Sequence, residues 1–198
     1  MIHTRQIFLA IFSLLVFISF GFSQNGIVVN YYNISKQLTF GKIEYSLSWS
    51  THPQEAYYKQ EYVPKGDNVE HFNDMLLIDF LITDLPVKDA VQNQMSTLLA
   101  RKKTDPVCNY QIQKNAQTGD YVLDFIIGDS SENNTVEWNA YHYKSYTDKA
   151  GHKGVLLFGI SHRAYGNETV SFLKSLKNSR QSVLRSLITY PVPEIQVK

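Results

Sequence analysis

The chain has 198 residues, with 19 Lys and Arg against 18 Asp and Glu, a hydrophobic share of 43% and one cysteine. This near-balance gives no electrostatic case for nucleic acid or an anionic membrane as partner, since both need a clustered basic footprint. The one basic cluster, Arg101-Lys102-Lys103, reads as cations in the last turn of a helix. A lone cysteine excludes an intramolecular disulfide.

Residues 1–23 carry Arg5, an apolar run from Ile7 to Ile18, then the small residues Gly21 and Ser23. That order is the n-region, h-region and small-residue site of a secretory signal peptide, with cleavage expected between Ser23 and Gln24. The run is too short for a bilayer span of about 20 residues. Taking Arg5 away leaves the basic residues equal to the 18 acidic ones. Residues 24–198 are then expected to form a single domain in the periplasm or outside the cell, with no membrane span after cleavage.

From Gln24 to Leu38 the chain reads as an extended lead-in. Phe40–Ser50 is expected as a first strand, with Ile43, Tyr45, Leu47 and Trp49 on one face, and Ala56–Val63 as a second, taken to be an exposed edge. Asp74–Thr83 is apolar on both sides apart from Asp79, so it should be a central strand in which Asp79 needs a partner. Asp84-Leu85-Pro86 opens a helix with Asp84 as cap, and Val87, Val91, Met95, Leu98 and Leu99 recur along it at helical spacing. Cys108 alternates with Tyr110 and Ile112 and reads as a small core hydrophobe. A second helix is expected over Glu168–Ile188, capped by Asn167. Its inner face would carry Val170, Leu173, Leu176, Val183, Leu184, Leu187 and Ile188, with a kink at Lys177-Asn178-Ser179-Arg180.

Between the helices lie three hairpin candidates. Thr135–Tyr165 is the clearest, with Lys149-Ala150-Gly151 as a three-residue loop and Gly151 in the left-handed position. Keeping the apolar residues on one side pairs Tyr110 with Phe125 and Ile112 with Leu123. It then pairs Phe125 with Trp138, Leu123 with Ala140, Trp138 with His162 and Ala140 with Ile160. In this register Gln111, Asp124, Asn139 and Ser161 fall side by side as a polar ladder, with Tyr141 and a Glu137 to Arg163 pair nearby. These residues, Gln111, Asp124, Asn139, Ser161, Tyr141 and Arg163, are the candidate surface for a ligand or partner, against the plainer reading of a solvated sheet face.

No catalytic, metal or nucleotide signature stands out. Gly159-Ile160-Ser161-His162-Arg163 approaches a nucleophile elbow but has Arg where the closing Gly is required. His142 and His162 share a face at a spacing too wide for one zinc ion. No metal or cofactor is therefore expected. Asp79 and Asp124 are the carboxylates on strand faces, so an exported hydrolase would use one of them with a histidine.

The runs Tyr57–Gly66 (YYKQEYVPKG), Arg101–Pro106 (RKKTDP) and Arg163–Asn167 (RAYGN) resemble segments of a family of small uncharacterised exported proteins of Gram-negative bacteria. The resemblance implies an envelope location and carries no activity. The order of early strands, helix, antiparallel meander and C-terminal helix resembles the Mog1/PsbP-like α/β/α sandwich, which implies a binding or assembly role by analogy. The expected fold is α+β, an antiparallel sheet with two main helices packed on it. The favoured function is an exported binding or assembly module for an unknown protein or small ligand of the envelope. The alternatives are the hydrolase and a structural envelope protein pairing through an edge strand.

Overall fold

The computed structural model describes residues 28–129 and 134–197, so the expected leader lies outside the described residues. Eight strands and two helices follow in order: β1 (Gln37–Phe40), β2 (Ile43–Gln54), β3 (Tyr57–Pro64), β4 (Asp74–Ile82), α1 (Val87–Arg101), β5 (Asn109–Lys114), β6 (Tyr121–Asp129), β7 (Thr135–Thr147), β8 (Lys153–Ala164), a 3₁₀ turn (Gly166–Glu168) and α2 (Thr169–Thr189). The strands form one antiparallel sheet in the order β1-β2-β3-β4-β8-β7-β6-β5. The expected α+β class is the class observed.

Strand alternation divides the apolar residues between two faces, and each face has its own helix. Leu76, Ile78 and Phe80 of β4 share a face with Trp138, Ala140, Leu156, Phe158 and Ile160, against which Leu184 and Leu187 of α2 are buried. Leu77 of β4 shares the other face with Leu123, Phe125, Tyr143, Val155 and Leu157, which α1 covers with Ala90, Val91 and Leu98. The result is a three-layer sandwich with β4 at its centre, as a strand apolar on both sides requires. Cys108 is buried with the α1 cluster, as a small hydrophobe.

The ends of the chain complete the α2 layer. Tyr32, in the stretch expected as a plain lead-in, is fully buried, and its hydroxyl donates to the carbonyls of Tyr58 and Ile78 at 2.7 and 2.9 Å. Beyond α2, Tyr190 stacks on Phe158 with ring centroids 4.5 Å apart. The tail then returns to the β7-β8 loop, where Val197 N donates to Asp148 Oδ2 and Lys149 N to the carbonyl of Ile195.

Several expectations are corrected. The first strand is two strands, β1 and β2, turning at Gly41, whose φ of +61° is left-handed. A bulge between Leu47 and Trp49 then sends these two side chains to opposite faces, opposite Tyr62 and Glu61 respectively. Ala56–Val63 is not an edge: β3 lies between β2 and β4, and the sheet ends at β1 and β5. Asp84 does not cap α1, which begins after an extended Pro86 without a side-chain cap. Helix α2 runs unbroken through Lys177–Arg180, and Val170 and Leu173 point outward, 60% and 40% exposed.

Two of the three hairpin registers are as expected, Tyr110 with Phe125 and Trp138 with His162. The third is shifted by one residue: Phe125 faces Asn139, Asp124 faces Ala140 and Leu123 faces Tyr141. The β7-β8 loop is the three-residue one expected, closed by Asp148 N donating to the His152 carbonyl, with Gly151 at φ +91°.

Two glycines of this hairpin serve different needs. A Cβ on Gly154 would lie 2.0 Å from the carbonyl oxygen of Leu81 on the neighbouring strand, whereas one on Gly151 would meet nothing but carries the left-handed φ. Gly154→Ala is expected to lower stability by about 3 kcal/mol, because backbone must move to admit the methyl, and Gly151→Ala by only about 1 kcal/mol. Urea midpoints of the two variants decide this; equal losses would show that β8 yields at Gly154.

Candidate functional site

Helix α2 is seated by a partly buried ion pair between Arg180 and the buried Asp124. The Arg180 guanidinium donates from Nε to Asp124 Oδ1 and from Nη2 to Asp124 Oδ2, both at 2.7 Å, and from Nη2 to Gln111 Oε1 at 2.6 Å. Asp124 Oδ1 also accepts from Trp138 Nε1 at 3.1 Å. The polar interruption that suggested a kink is thus the point at which the helix is fastened. Side-chain exposures of 20% and 6% place this pair where solvent screens it weakly.

C-terminal to Arg180 the helix is packed tightly by Leu184 and Leu187, while Phe172 and Leu176 of its first half are only partly buried. At its start the helix hangs from the 3₁₀ turn, where Gly166 N donates to the carbonyl of Asn134. The first half therefore stands off the sheet and borders an open groove of about 600 Å³. Asp74 and His162 line its sheet side; Glu168, Ser171, Ser175 and Phe172 line its helix side.

The groove floor follows from three adjacent strands in register: Asp74 of β4 faces His162 of β8, which faces Trp138 of β7. His162 Nδ1 is hydrogen-bonded to the Asp74 carboxylate. The imidazole lies parallel to the Trp138 indole, with centroids 5.5 Å apart and planes 4° apart. Since Trp138 also bonds Asp124, the floor of the groove and the anchor of its helix wall are one connected structure. The arrangement orients one imidazole, offers carboxylate acceptors and serine hydroxyls beside the apolar Phe172, and falls in the size range of small-ligand clefts.

The six residues expected to form one surface are divided between the two faces. Gln111 and Asp124 lie on the α2 face and are engaged by Arg180. Asn139, Ser161, Tyr141 and Arg163 lie on the α1 face and are brought together there. Asn139 Oδ1 accepts from Ser161 Oγ at 2.5 Å and from Tyr141 OH at 3.2 Å, and Asn139 Nδ2 donates to Glu137 Oε1. Arg163 donates from Nε to Glu137 Oε2 at 2.6 Å and from Nη1 to the Glu70 carbonyl, with its guanidinium over the Phe72 ring. Asn139 and Ser161 are 1% and 2% exposed, so this network is interior and not a solvated face.

The histidines pair with other carboxylates than those expected: His162 with Asp74, His142 with Asp120 and His152 with Asp148. Asp74 was missed because its partnership depends on the β4-β8 pairing, which joins residues 88 apart in sequence. Ser171 and Ser175 carried a signal, their four-residue spacing on α2. Among the described residues no cluster of three or more His, Cys, Asp or Glu is placed to hold a metal, and no helix is long and apolar enough to cross a membrane.

Asp79 lies on the α1 face, opposite Lys59 of β3. Its Oδ2 accepts from Tyr57 OH at 2.8 Å, and Lys59 Nζ lies 2.9 Å from Glu61 Oε1. Burial raises the Asp79 carboxyl to about 6 against the opposing pull of Lys59 and Tyr57.

Two predictions follow from these carboxylates. Arg180→Met leaves Asp124 buried without its cation and is expected to cost about 3 kcal/mol, most of it recovered when Asp124→Leu is added. Denaturant midpoints of the single and double variants test this, and an additive double variant would refute the coupling. For Asp79, a folded value near 6 lies above the unfolded value of about 4. Its stabilising share is thus complete below pH of about 4 and is lost as pH rises through about 6. Asp79→Asn should remove that slope and exceed the wild type at pH ~7.5 by about 2 kcal/mol; parallel pH profiles would exclude Asp79 as its source.

No curated protein and no solved structure matches the chain. A family model matches residues 32–192, from the buried Tyr32 to the partly buried Val192 beyond α2, and so takes in both helices and the groove between α2 and the sheet. The chain belongs to that family, an uncharacterised family of bacteria.

Proposed function

We propose that this protein is an exported binding module of the bacterial envelope whose ligand enters the groove between α2 and the sheet. The observation that carries the reading is the groove itself: about 600 Å³, with an oriented His162 and Asp74 facing the first half of α2. A small ligand with hydrogen-bond donors and an apolar body matches the acidic and hydroxyl groups beside Phe172. The leader pattern of residues 1–23 supports export. The similarity of element order to the Mog1/PsbP-like sandwich supports binding or assembly over catalysis, as an analogy of fold.

A second reading, an exported hydrolase, now centres on His162 with Asp74, the base and orienting group of such chemistry, in place of Asp79 or Asp124. Edge pairing, the third, moves from β3 to the exposed β5.

Full-length protein expressed in a Gram-negative host and recovered from the envelope tests the proposal. The expected N-terminus is Gln24, and native mass spectrometry should show a bound small molecule. Ser175→Trp, which fills the groove from an exposed helix position, should remove that added mass at unchanged melting temperature, and Asp74→Asn should weaken retention about tenfold, the loss of a charged hydrogen bond. An unprocessed or cytoplasmic chain would overturn export. A bare mass in the wild type, or an adduct kept by Ser175→Trp, would overturn the groove. Ester hydrolysis abolished by His162→Ala would favour the second reading.

A further inference from the structure

The space between α1 and the sheet contains an unusual pair of groups. Asp79 and Gln94 are 8% and 4% exposed, and Asp79 Oδ1 and Gln94 Nε2 are buried with no hydrogen-bond partner on the protein. Gln94 belongs to the inward row of α1 with Ala90, Val91 and Leu98, where the neighbouring positions are apolar. A buried amide or carboxylate oxygen without a partner loses its hydration and gains nothing in exchange, so such atoms in native proteins are satisfied, by ordered water where no protein group reaches them.

Both residues line one narrow cavity of about 20 Å³, walled by Tyr57, Leu81, Tyr143 and Leu157. A water molecule requires about 10–15 Å³ and two to four polar partners. The cavity therefore has room for at least one water within reach of both groups. We infer that it is a binding site for an ordered water molecule, which donates to Asp79 Oδ1 and accepts from Gln94 Nε2, and so ties helix α1 to the central strand of the sheet.

The charges around the site favour a neutral occupant. Lys59 lies beside Asp79 across the β3-β4 pair and Glu61 bonds that ammonium; the other titratable groups facing the site are the phenols Tyr57, Tyr141 and Tyr143. A metal cation would need a shell of oxygens, whereas Gln94 presents an N–H. The water completes Asp79: Tyr57 serves one carboxylate oxygen and the water the other.

The test is an atomic-resolution crystal structure, with water-to-amide cross-relaxation NMR, on the protein as recovered from its host. One density peak within hydrogen-bond reach of Asp79 Oδ1 and Gln94 Nε2, with a long-lived water signal at the Gln94 side-chain amide, is the expected result. Gln94→Met keeps the length of the side chain and removes its polar group. It should abolish the peak and raise the Asp79 titration midpoint, followed by carboxyl carbon NMR, by about one pH unit, a tenfold change in proton affinity. Gln94→Asn should retain the water and stay within a few tenths of a unit of the wild type. A direct Asp79 to Gln94 contact with no density between them, a coordinated ion in that place, or a midpoint unmoved by Gln94→Met would overturn the inference. If Gln94→Met does not fold, the wild-type density and cross-relaxation decide it.

Discussion

The position of α2 depends on the bond between Arg180 and Asp124. A buried carboxylate is costly unless its charge is met and its lone pairs are used. Here both oxygens accept from the guanidinium and one also accepts from Trp138. Because Asp124 lies on β6 and Trp138 on β7, the helix is held at one point along the sheet and in one rotational phase. Leu184 and Leu187 then face the core, while Ser175 and Phe172 face the groove. A helix fastened at its middle and packed at its C-terminal half can leave its first half raised. That geometry creates the groove, and the same anchor is continuous with the floor through Trp138 and His162.

Polar groups are not confined to the outside of this sheet. The α2 face carries Asp124 and Gln60, and the α1 face carries Asp79, Asn139, Ser161 and Glu61. Each is enclosed because a helix or a terminal segment covers the face that would be solvated in a two-layer fold. Satisfied buried polar groups hold their neighbours in unique positions, since any shift exposes an unpaired donor or acceptor to an apolar surrounding. The network from Arg163 through Glu137 to Asn139 and Ser161 does this for the end of β8 and the segment around Glu70 and Phe72. The composition of both faces is thus mixed, which has a direct consequence for reading the chain.

The β7-β8 hairpin was legible because its loop is three residues long and Gly151 dictates the turn, so register follows from local geometry. The β5-β6 register, chosen by keeping the apolar residues on one side, is also the one observed. The β6-β7 register was not legible, because choosing it by keeping apolar residues on one side works only where the other side is wet. With both faces covered, Phe125 beside Asn139 is as acceptable as Phe125 beside Trp138, and a slip of one residue moves Asp124 to the other layer. The candidate surface was therefore built from residues that belong to two different interiors. The bulge at Leu47 and Trp49 defeats periodicity in the same way within a single strand.

What the sequence alone determined is the local structure and, from it, the class: the apolar period along β4, the helical stripe of α1 and the turn at Gly151, each specified within a dozen or so residues, and together the α+β class. What only the tertiary structure decided is which distant elements meet. The joining of β4 to β8 brings Asp74 to His162, the reach of Arg180 to Asp124 turns an expected kink into an anchor, and the burial of Ala56–Val63 turns an expected edge into an interior strand. Those contacts are set by the competition of whole faces for cover and of buried charges for partners, and residues 56 or 88 positions apart carry no local mark of that competition.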